Sequence, residues 1–443
     1  MHPALAIPEL QFAIACEVNL CPSLYWLKEH HDALYRLMMV SRSWKNIVEP
    51  LLWERMIFND MLFLIPAWSC AGGRKVEITV HRAVTASDWE SVCSRSCFTR
   101  WLYVDFPNFP DALDEDVLAT LPPADVLFQR LENMTLTGPF VPPSLMSRYL
   151  VALMPHTLSH LTIERASFML RGIPALVAAR CVHLRSLEMR GLGKFVDSDI
   201  PRPSPCAAFL ESLRACRELA DVDIAFRAFE YSASYLCSLA AYPILRRLKL
   251  EVHEAKEEPE ELGVHCGFPA RGFVVLQSLE LSFVPCRTVT AALESIGGST
   301  QLTTIIITVD ITDYESYHAI VAAISSAGHP AHLTTVQLYR YSSFVRRLPS
   351  YGVLDMKILT LLSRFRLLET MVMTGLARSA LTINDCAKIA SWWPELARLT
   401  LVTKADHNAS CMLEVLGTFR VCPRLTELYI ALAETERDDV YSA

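Results

Sequence analysis

The stretch Leu245-Arg246-Arg247-Leu248-Lys249-Leu250 decides how this chain is read, because its pattern, Leu-x-x-φ-x-φ with φ apolar, keeps returning. Before it come LENMTL from Leu131, LSHLTI from Leu158, LRSLEM from Leu184 and LADVDI from Leu219. After it come LQSLEL from Leu276, LTTIII from Leu302, LTTVQL from Leu333, LETMVM from Leu368, LARLTL from Leu396 and LTELYI from Leu425. The eleven phrases are spaced by 27, 26, 35, 26, 31, 26, 31, 35, 28 and 29 residues. A period of this size marks stacked units, each with an apolar side that only its neighbours can bury. Such a stack is usually a surface for holding another protein.

Each phrase alternates as a strand does. Its first, fourth and sixth residues point to a core, its third and fifth to a concave surface. Before most phrases lies a helix-like segment closed by a breaker, as in Ser144–Met154 before Pro155, Ser234–Tyr242 before Pro243 and Cys386–Trp393 before Pro394. Ala207–Cys216, Ala291–Ile296, Ile320–Ala327 and Met412–Cys422 follow suit. Strand, loop, helix and turn in 26–35 residues read as a leucine-rich repeat. The expected fold is α/β: a horseshoe-shaped solenoid of parallel strands with helices outside. The longer form of this repeat places Asn or Cys three residues after the sixth position. Pro139, Ala166, Leu192, Arg227 and His253 stand there instead, so other groups must satisfy the loop backbone.

Working outward, Phe98-Thr99-Arg100-Trp101-Leu102-Tyr103 fits the phrase with aromatics and reads as a capping repeat. Arg74–Val80 alternates like a strand. The organisation expected is a helical domain over 1–57, a linker and capping repeat over 58–125, and an array of about eleven repeats over 126–443.

Apolar residues make up 52% of the 443 and charged ones 20%, enough for a core and too apolar for a disordered scaffold. A net charge of −7 argues against a nucleic-acid partner. The absence of a long apolar run argues against a membrane span, and no basic region precedes an apolar one at the N-terminus as in a secretory signal. Fourteen scattered cysteines without a C-x-x-C read as reduced core residues, which suits the cytoplasm or nucleus.

Motifs of chemistry are lacking. There is no P-loop, G-x-S-x-G or H-E-x-x-H. Gly191-Leu192-Gly193 lacks a third glycine. His30 and His31, as neighbours on a helix, point apart. His253, His265 and Cys266 fall short of four zinc ligands. Asp111 to Asp116 lacks the alternation and central Gly of a calcium loop. The chain is therefore expected to be a non-enzyme without cofactor or metal.

Its binding residues are sought at the third and fifth phrase positions. Glu188, Asp221, Asp223 and Glu280 stand there around Arg247 and Lys249. Opposed charges set partner choice and on-rate, so this group is the expected contact for a target with a basic or mixed-charge patch. A later Thr-rich part exposes Ile306 and Val372. Insertions at Asp197–Pro205, Glu254–Glu261 and Tyr339–Tyr351 would form a rim.

Residues 7–57 have a different texture. Ile7-Pro8-Glu9-Leu10 opens a helical pattern continued by Ile14 and Val18. Leu34, Leu37, Met38 and Ser41 fall on one stripe, with Val40, Trp44, Ile47 and Val48 beside it. Pro50 can open a third helix ahead of Leu51, Leu52 and Trp53. A core this small is marginal alone and would gain from docking on a partner.

These residues resemble the F-box. The resemblance is carried by Ile7-Pro8-Glu9-Leu10, by LYRLMMVSRSW from Leu34 to Trp44, and by Val48, Leu52 and Trp53. An F-box followed by degenerate leucine-rich repeats is similar to the large fungal F-box families. The resemblance implies a Skp-type adaptor as partner, and through it cullin and RING subunits of a ubiquitin ligase. It implies that Pro8, Leu10, Leu34, Leu37, Val40, Trp44, Leu52 and Trp53 pack the F-box or face the adaptor. The array would then hold a protein target whose identity the sequence does not name. The other expectation is a repeat scaffold without a ligase role, its N-terminal helices serving as a cap.

Overall fold

The computed structural model describes residues 7–19, 27–62, 64–71, 77–105, 120–137, 151–164, 177, 179–190, 213–227, 233–253, 268–269, 272–296, 301–309, 314–340, 353–376, 378–403, 412–430 and 432. The chain divides into two compact units, Met1–Glu218 and Leu219–Ala443.

The first unit begins with three helices, α1 (Pro8–Asn19), α2 (Leu27–Met38) and α3 (Arg42–Leu52). They share a core of Ala15, Leu34, Trp44, Val48 and Leu52, edged by Ile14, Val18, Leu37 and Trp53. Pro8 stands at the first position of α1, where its missing N–H costs nothing. Ser41 does not continue the stripe from Leu34. It caps α3, and its hydroxyl accepts the Trp44 N–H at 3.3 Å. Pro50 opens no helix either, but lies in the last turn of α3. Trp44, Val48 and Leu52 bury one face at four-residue spacing, and that burial outweighs the hydrogen bond the proline removes.

Next come β1 (Arg55–Ile57), α4 (Phe58–Leu62), the antiparallel pair β2 (Trp68–Ala71) and β3 (Glu77–Val80), and α5 (Glu90–Ser96). Then follow β4 (Trp101–Asp105), α6 (Ala124–Leu127), β5 (Asn133–Thr137), β6 (His160–Glu164) and β7 (Ser186–Arg190). Strands β1, β4, β5, β6 and β7 lie side by side and parallel. Of the alternating stretch Arg74–Val80, residues 77–80 form β3, and 74–76 lie outside the described residues.

Two readings of phase change here. Trp101 pairs with Asn133, a third-position residue, and Leu102 with Met134, a fourth-position one. The capping phrase therefore starts at Thr99, not Phe98. A slip of one residue exchanges the two faces of a strand, and the core chooses the phase that buries Leu102 and Val104. In the same register β1 makes a further phrase, Trp53-x-x-Met56-x-Phe58, whose Met56 and Phe58 are buried. The first strand thus lies before residue 58, and the helical segment ends at Leu52.

The second unit holds β8 (Asp221–Arg227), α7 (Ala233–Ala240), β9 (Arg247–His253), β10 (Ser278–Ser282), α8 (Cys286–Ile296), β11 (Thr304–Val309) and α9 (Tyr314–Ala327). After these come β12 (Thr335–Arg340), β13 (Val353–Leu354), α10 (Met356–Leu362), β14 (Thr370–Leu376) and β15 (Arg378–Ser379). It closes with α11 (Ile383–Trp392), β16 (Arg398–Thr403), α12 (Met412–Thr418) and β17 (Glu427–Ile430). Strands β8 to β12, β14, β16 and β17 are parallel neighbours in sequence order.

Every strand from β5 onward in these two parallel series starts at the third residue of its phrase. Third pairs with third and fifth with fifth, as in Asp221↔Arg247↔Ser278↔Thr304. The first, fourth and sixth residues are buried in every phrase but the last. Behind them α8, α9 and α10 bury stripes such as Val289, Ala292, Leu293 and Ile296. The sequence pattern did not show α10, but its start was marked: Asp355 accepts the Ile358 N–H at 3.1 Å as a cap.

The missing Asn ladder has substitutes. Within each unit the second residue of a phrase offers its carbonyl to two amides of the phrase that follows it there. Gln277 O takes the Thr303 and Thr304 N–H groups at 2.9 and 3.1 Å. Hydroxyls add to this, Thr303 Oγ1 reaching Gln277 O and Thr426 Oγ1 reaching Ala397 O, both at 3.0 Å. Carbonyls ending the helices are met by a side chain from an adjacent repeat: Leu127 O by Ser96 Oγ of the preceding one at 2.5 Å, and Leu362 O by Trp393 Nε1 and Cys181 O by Cys216 Sγ of the following ones, both at 3.3 Å. These turn positions carry buried Phe128, Cys181, Cys216, Phe365 and Trp393, each three residues before its phrase.

Candidate binding surfaces

The three N-terminal helices sort their eight candidate residues by face. Leu34, Trp44 and Leu52 are core, while Leu37 and Trp53 sit half-buried at its edge. Pro8, Leu10 and Val40 are exposed. Phe12 and Met39 add to the exposed apolar set, Met39 at 68% exposure. Between α1 and α2 opens a groove of about 490 Å³, lined by Val18, Asp32, Ala33, Arg36, Leu37 and Val40. The folded core thus turns one set of apolar residues inward and leaves another at the surface. Gln11 is a residue the sequence reading missed. It shares the buried stripe of Ile14, Ala15 and Val18, and its Oε1 accepts the Ser43 hydroxyl at 2.8 Å. Trp53 has two attachments: it ends α3, and its carbonyl accepts the Thr99 hydroxyl at 2.9 Å in the turn before β4. The Arg95 guanidinium lies 5.7 Å from its ring.

The outward strand positions form the second set of surfaces. In the second unit Arg247 grips Asp221 with two hydrogen bonds of 2.7 and 2.8 Å, and Lys249 Nζ lies 2.9 Å from Glu280. The hydrogen bond it donates to the Glu280 carboxylate holds the Lys249 ammonium above its ordinary pKa, and the bonds donated to Asp221 do the same for Arg247. Asp223 stands opposite Lys249 in register. Glu188 belongs to the first unit and pairs with Arg190 in its own strand. The structure therefore brings Asp221, Asp223, Arg247, Lys249 and Glu280 together, but with Asp221–Arg247 and Lys249–Glu280 as ion pairs across neighbouring strands and Asp223 opposite Lys249. Such matched pairs leave little net field to steer a charged partner. At β16 and β17, Arg398 and Glu427 repeat the arrangement with bonds of 2.6 and 2.7 Å. Ile306 is half-buried, and Val372, expected at the surface, is 4% exposed in register between Gln337 and Thr400.

In the first unit the outward face is aromatic. Trp101 is 47% exposed, with the Arg55 guanidinium 5.7 Å from its ring. Tyr103 is two residues along the same strand. Sequence reading missed this surface because the one-residue slip placed Trp101 on the inward side. The Leu102/Val104 alternation was the signal that could have found it.

The rim segments Asp197–Pro205, Glu254–Glu261 and 341–351 lie outside the described residues, as do Asp111–Asp116, His265 and Cys266. Among the described residues no three His, Cys, Asp or Glu side chains gather as metal ligands. No described helix is long and apolar enough to cross a membrane. Cys181 and Cys216 are buried free thiols, pushed by burial up to about 12 and about 11, which leaves almost no thiolate at neutral pH. No protein-family model matches the chain, and no curated protein matches it.

Proposed function

We propose that the protein is the substrate-recognition subunit of a cullin–RING ubiquitin ligase. On this reading residues 7–52 are an F-box that docks on a Skp-type adaptor. The parallel strands and their helices are a leucine-rich-repeat solenoid that holds the target protein. The protein transfers nothing itself; recruitment raises the target's effective concentration beside the loaded conjugating enzyme. The observation that carries the reading is the sorting of the N-terminal residues. Leu34, Trp44 and Leu52 make the core, while Leu10, Met39 and Val40 stay at the surface and Val40 lines the groove. An apolar surface over so small a core is what a docking module needs.

The test is retention of a purified Skp-type adaptor on the immobilised full chain. Wild type retains it, and Leu10→Glu with Val40→Glu abolishes retention while thermal melting stays unchanged. Absence of retention by wild type, under conditions where another F-box protein succeeds, overturns the reading. One observation favours the alternative, a non-ligase scaffold whose helices only cap the array. Trp53 both ends α3 and begins the first strand phrase, so the helices are built onto the sheet. On that alternative the double variant changes nothing but solubility.

A further inference from the structure

We propose that the anchor for a protein partner is the uncharged strip over β11, β12 and β14 in the second unit, and that it takes an extended, uncharged segment placing a carboxamide side chain among Thr335, Gln337 and Thr370 and an aromatic ring on Tyr429. This rests on reading the strands as the surface that holds a target, and it replaces the charged group around Arg247 as the point of capture. Charge decides the occupant. The outward positions of the three strands are Thr304, Ile306 and Thr308, then Thr335, Gln337 and Tyr339, then Thr370, Val372 and Thr374. None of these side chains is charged at neutral pH. To either side stand charges that are already matched, Lys249 with Glu280 and Arg398 with Glu427. A charged segment laid on the strip would lose water and gain no counter-charge, so the strip's complement is a neutral segment.

Open hydrogen-bonding groups supply the contacts. Thr335 and Thr370 face each other in register, and Val372 stands between Gln337 and Thr400. Among the described residues the hydroxyls of Thr335, Thr370 and Thr400 meet no partner. The Gln337 carbonyl oxygen accepts the Tyr339 hydroxyl at 2.8 Å, which leaves the Gln337 N–H groups to donate. A carboxamide both donates and accepts, so one Asn or Gln of the partner can meet a hydroxyl and the Gln337 amide together. The ring has its place at the end of the same row, which runs Gln337, Val372, Thr400 and Tyr429. Tyr429 is 53% exposed, and Tyr anchors a contact at low entropy cost. Three strand steps separate Gln337 from Tyr429, about 14 Å, which an extended segment covers in about four residues. Around Arg247 the charges already satisfy one another, so a partner there would have to displace existing bonds.

The experiment uses the full chain and an array of immobilised decapeptides in a Gly-Ala background. Each carries one Gln and one Phe, at every separation and in either order. Retention is expected to peak at a separation of about four residues. It should fall by about tenfold or more when Gln is changed to Glu or Lys, or Phe to Ala. Tyr429→Ala should weaken it by about tenfold, and Thr335→Val with Thr370→Val by about fivefold or more, because the peptide amide is then left unpaired. Tyr429→Phe, and Thr335→Ser with Thr370→Ser, should keep most of it. Arg247→Ala with Lys249→Ala should leave it unchanged. Tyr429 is exposed and Val has the shape of Thr, so these variants fold; the melting temperature of each checks this. The inference is overturned if no Gln/Phe peptide is retained above the Gly-Ala background, if the Glu and Lys peptides are retained as well as the Gln ones, or if Tyr429→Ala binds as wild type does. Loss of adaptor retention by wild type with peptide binding intact would sink the ligase reading alone.

Discussion

Leu248 and Lys249 are neighbours in β9 and live under different rules. Leu248 faces inward between Val222 and Leu279, and all three are buried. Lys249 faces outward between Asp223 and Glu280. The inward row is constrained by volume, so it admits Leu, Ile, Val and Met and little else. Pairing alone constrains the outward row, and it varies freely from Thr to Glu to Tyr. The inward row therefore announces the fold, while the outward row records what the surface meets. Breaking each row in turn measures the difference.

The largest effect is expected from the inward row. Leu279→Ala leaves a cavity between two occupied strands and should cost about 2–5 kcal/mol, read from the urea midpoint. A cost under about 1 kcal/mol would mean that the second unit's strands do not share a packed core.

Next come the inward thiols. Cys181 and Cys216 have folded values raised by burial to about 12 and about 11. Their contribution is intact below the ordinary thiol value and is lost as pH rises through the window between that value and the folded ones. Within it each thiol should remove about 1 kcal/mol per pH unit. In Cys181→Ala with Cys216→Ala the midpoint should fall less steeply above pH ~9 than in wild type. Equal slopes would show that water reaches the thiols.

Much of the inward row was legible from one repeating leucine. The strands from β5 onward begin where the phrase predicts, because a period-two pattern beside a fixed Leu leaves one phase that buries the apolar set. The pattern failed where the marker residue changed. Thr99 replaces the Leu of the capping phrase and Trp53 that of the first, so one was misphased and the other assigned only to the helices. A better signature was present: Phe128, Cys181, Cys216, Phe365 and Trp393 are buried three residues ahead of their phrases, and Pro50 holds the same place ahead of Trp53. The outward row was legible as residues but not as a site. Strand spacing turns Asp221 and Arg247 from two recognition charges into one ion pair, and only register reveals it.

The last phrase has inward residues with an outward-like setting. Leu425, Leu428 and Ile430 occupy the first, fourth and sixth places, yet they are half-buried, because among the described residues β17 has a strand neighbour only in β16. Burial comes from the neighbour and not from the residue type. Leu428→Ala should therefore cost well below Leu279→Ala, roughly 1 kcal/mol. A cost equal to Leu279→Ala would show that something covers this strand in solution.

The smallest effect is expected from the outward row. Arg247→Ala removes two good hydrogen bonds, but its side chain is 70% exposed, and exposed pairs are worth about 0–1 kcal/mol. Its cost should shrink further on raising salt from 50 to 500 mM (roughly, from a Debye length of 14 Å to 4 Å), whereas the cost of Leu279→Ala should not. A loss as large as that of an inward leucine would mean that the ion pairs across β8, β9 and β10 hold the strands in register. The two rows would then share one rule, and the charged group around Arg247 would be structural through and through.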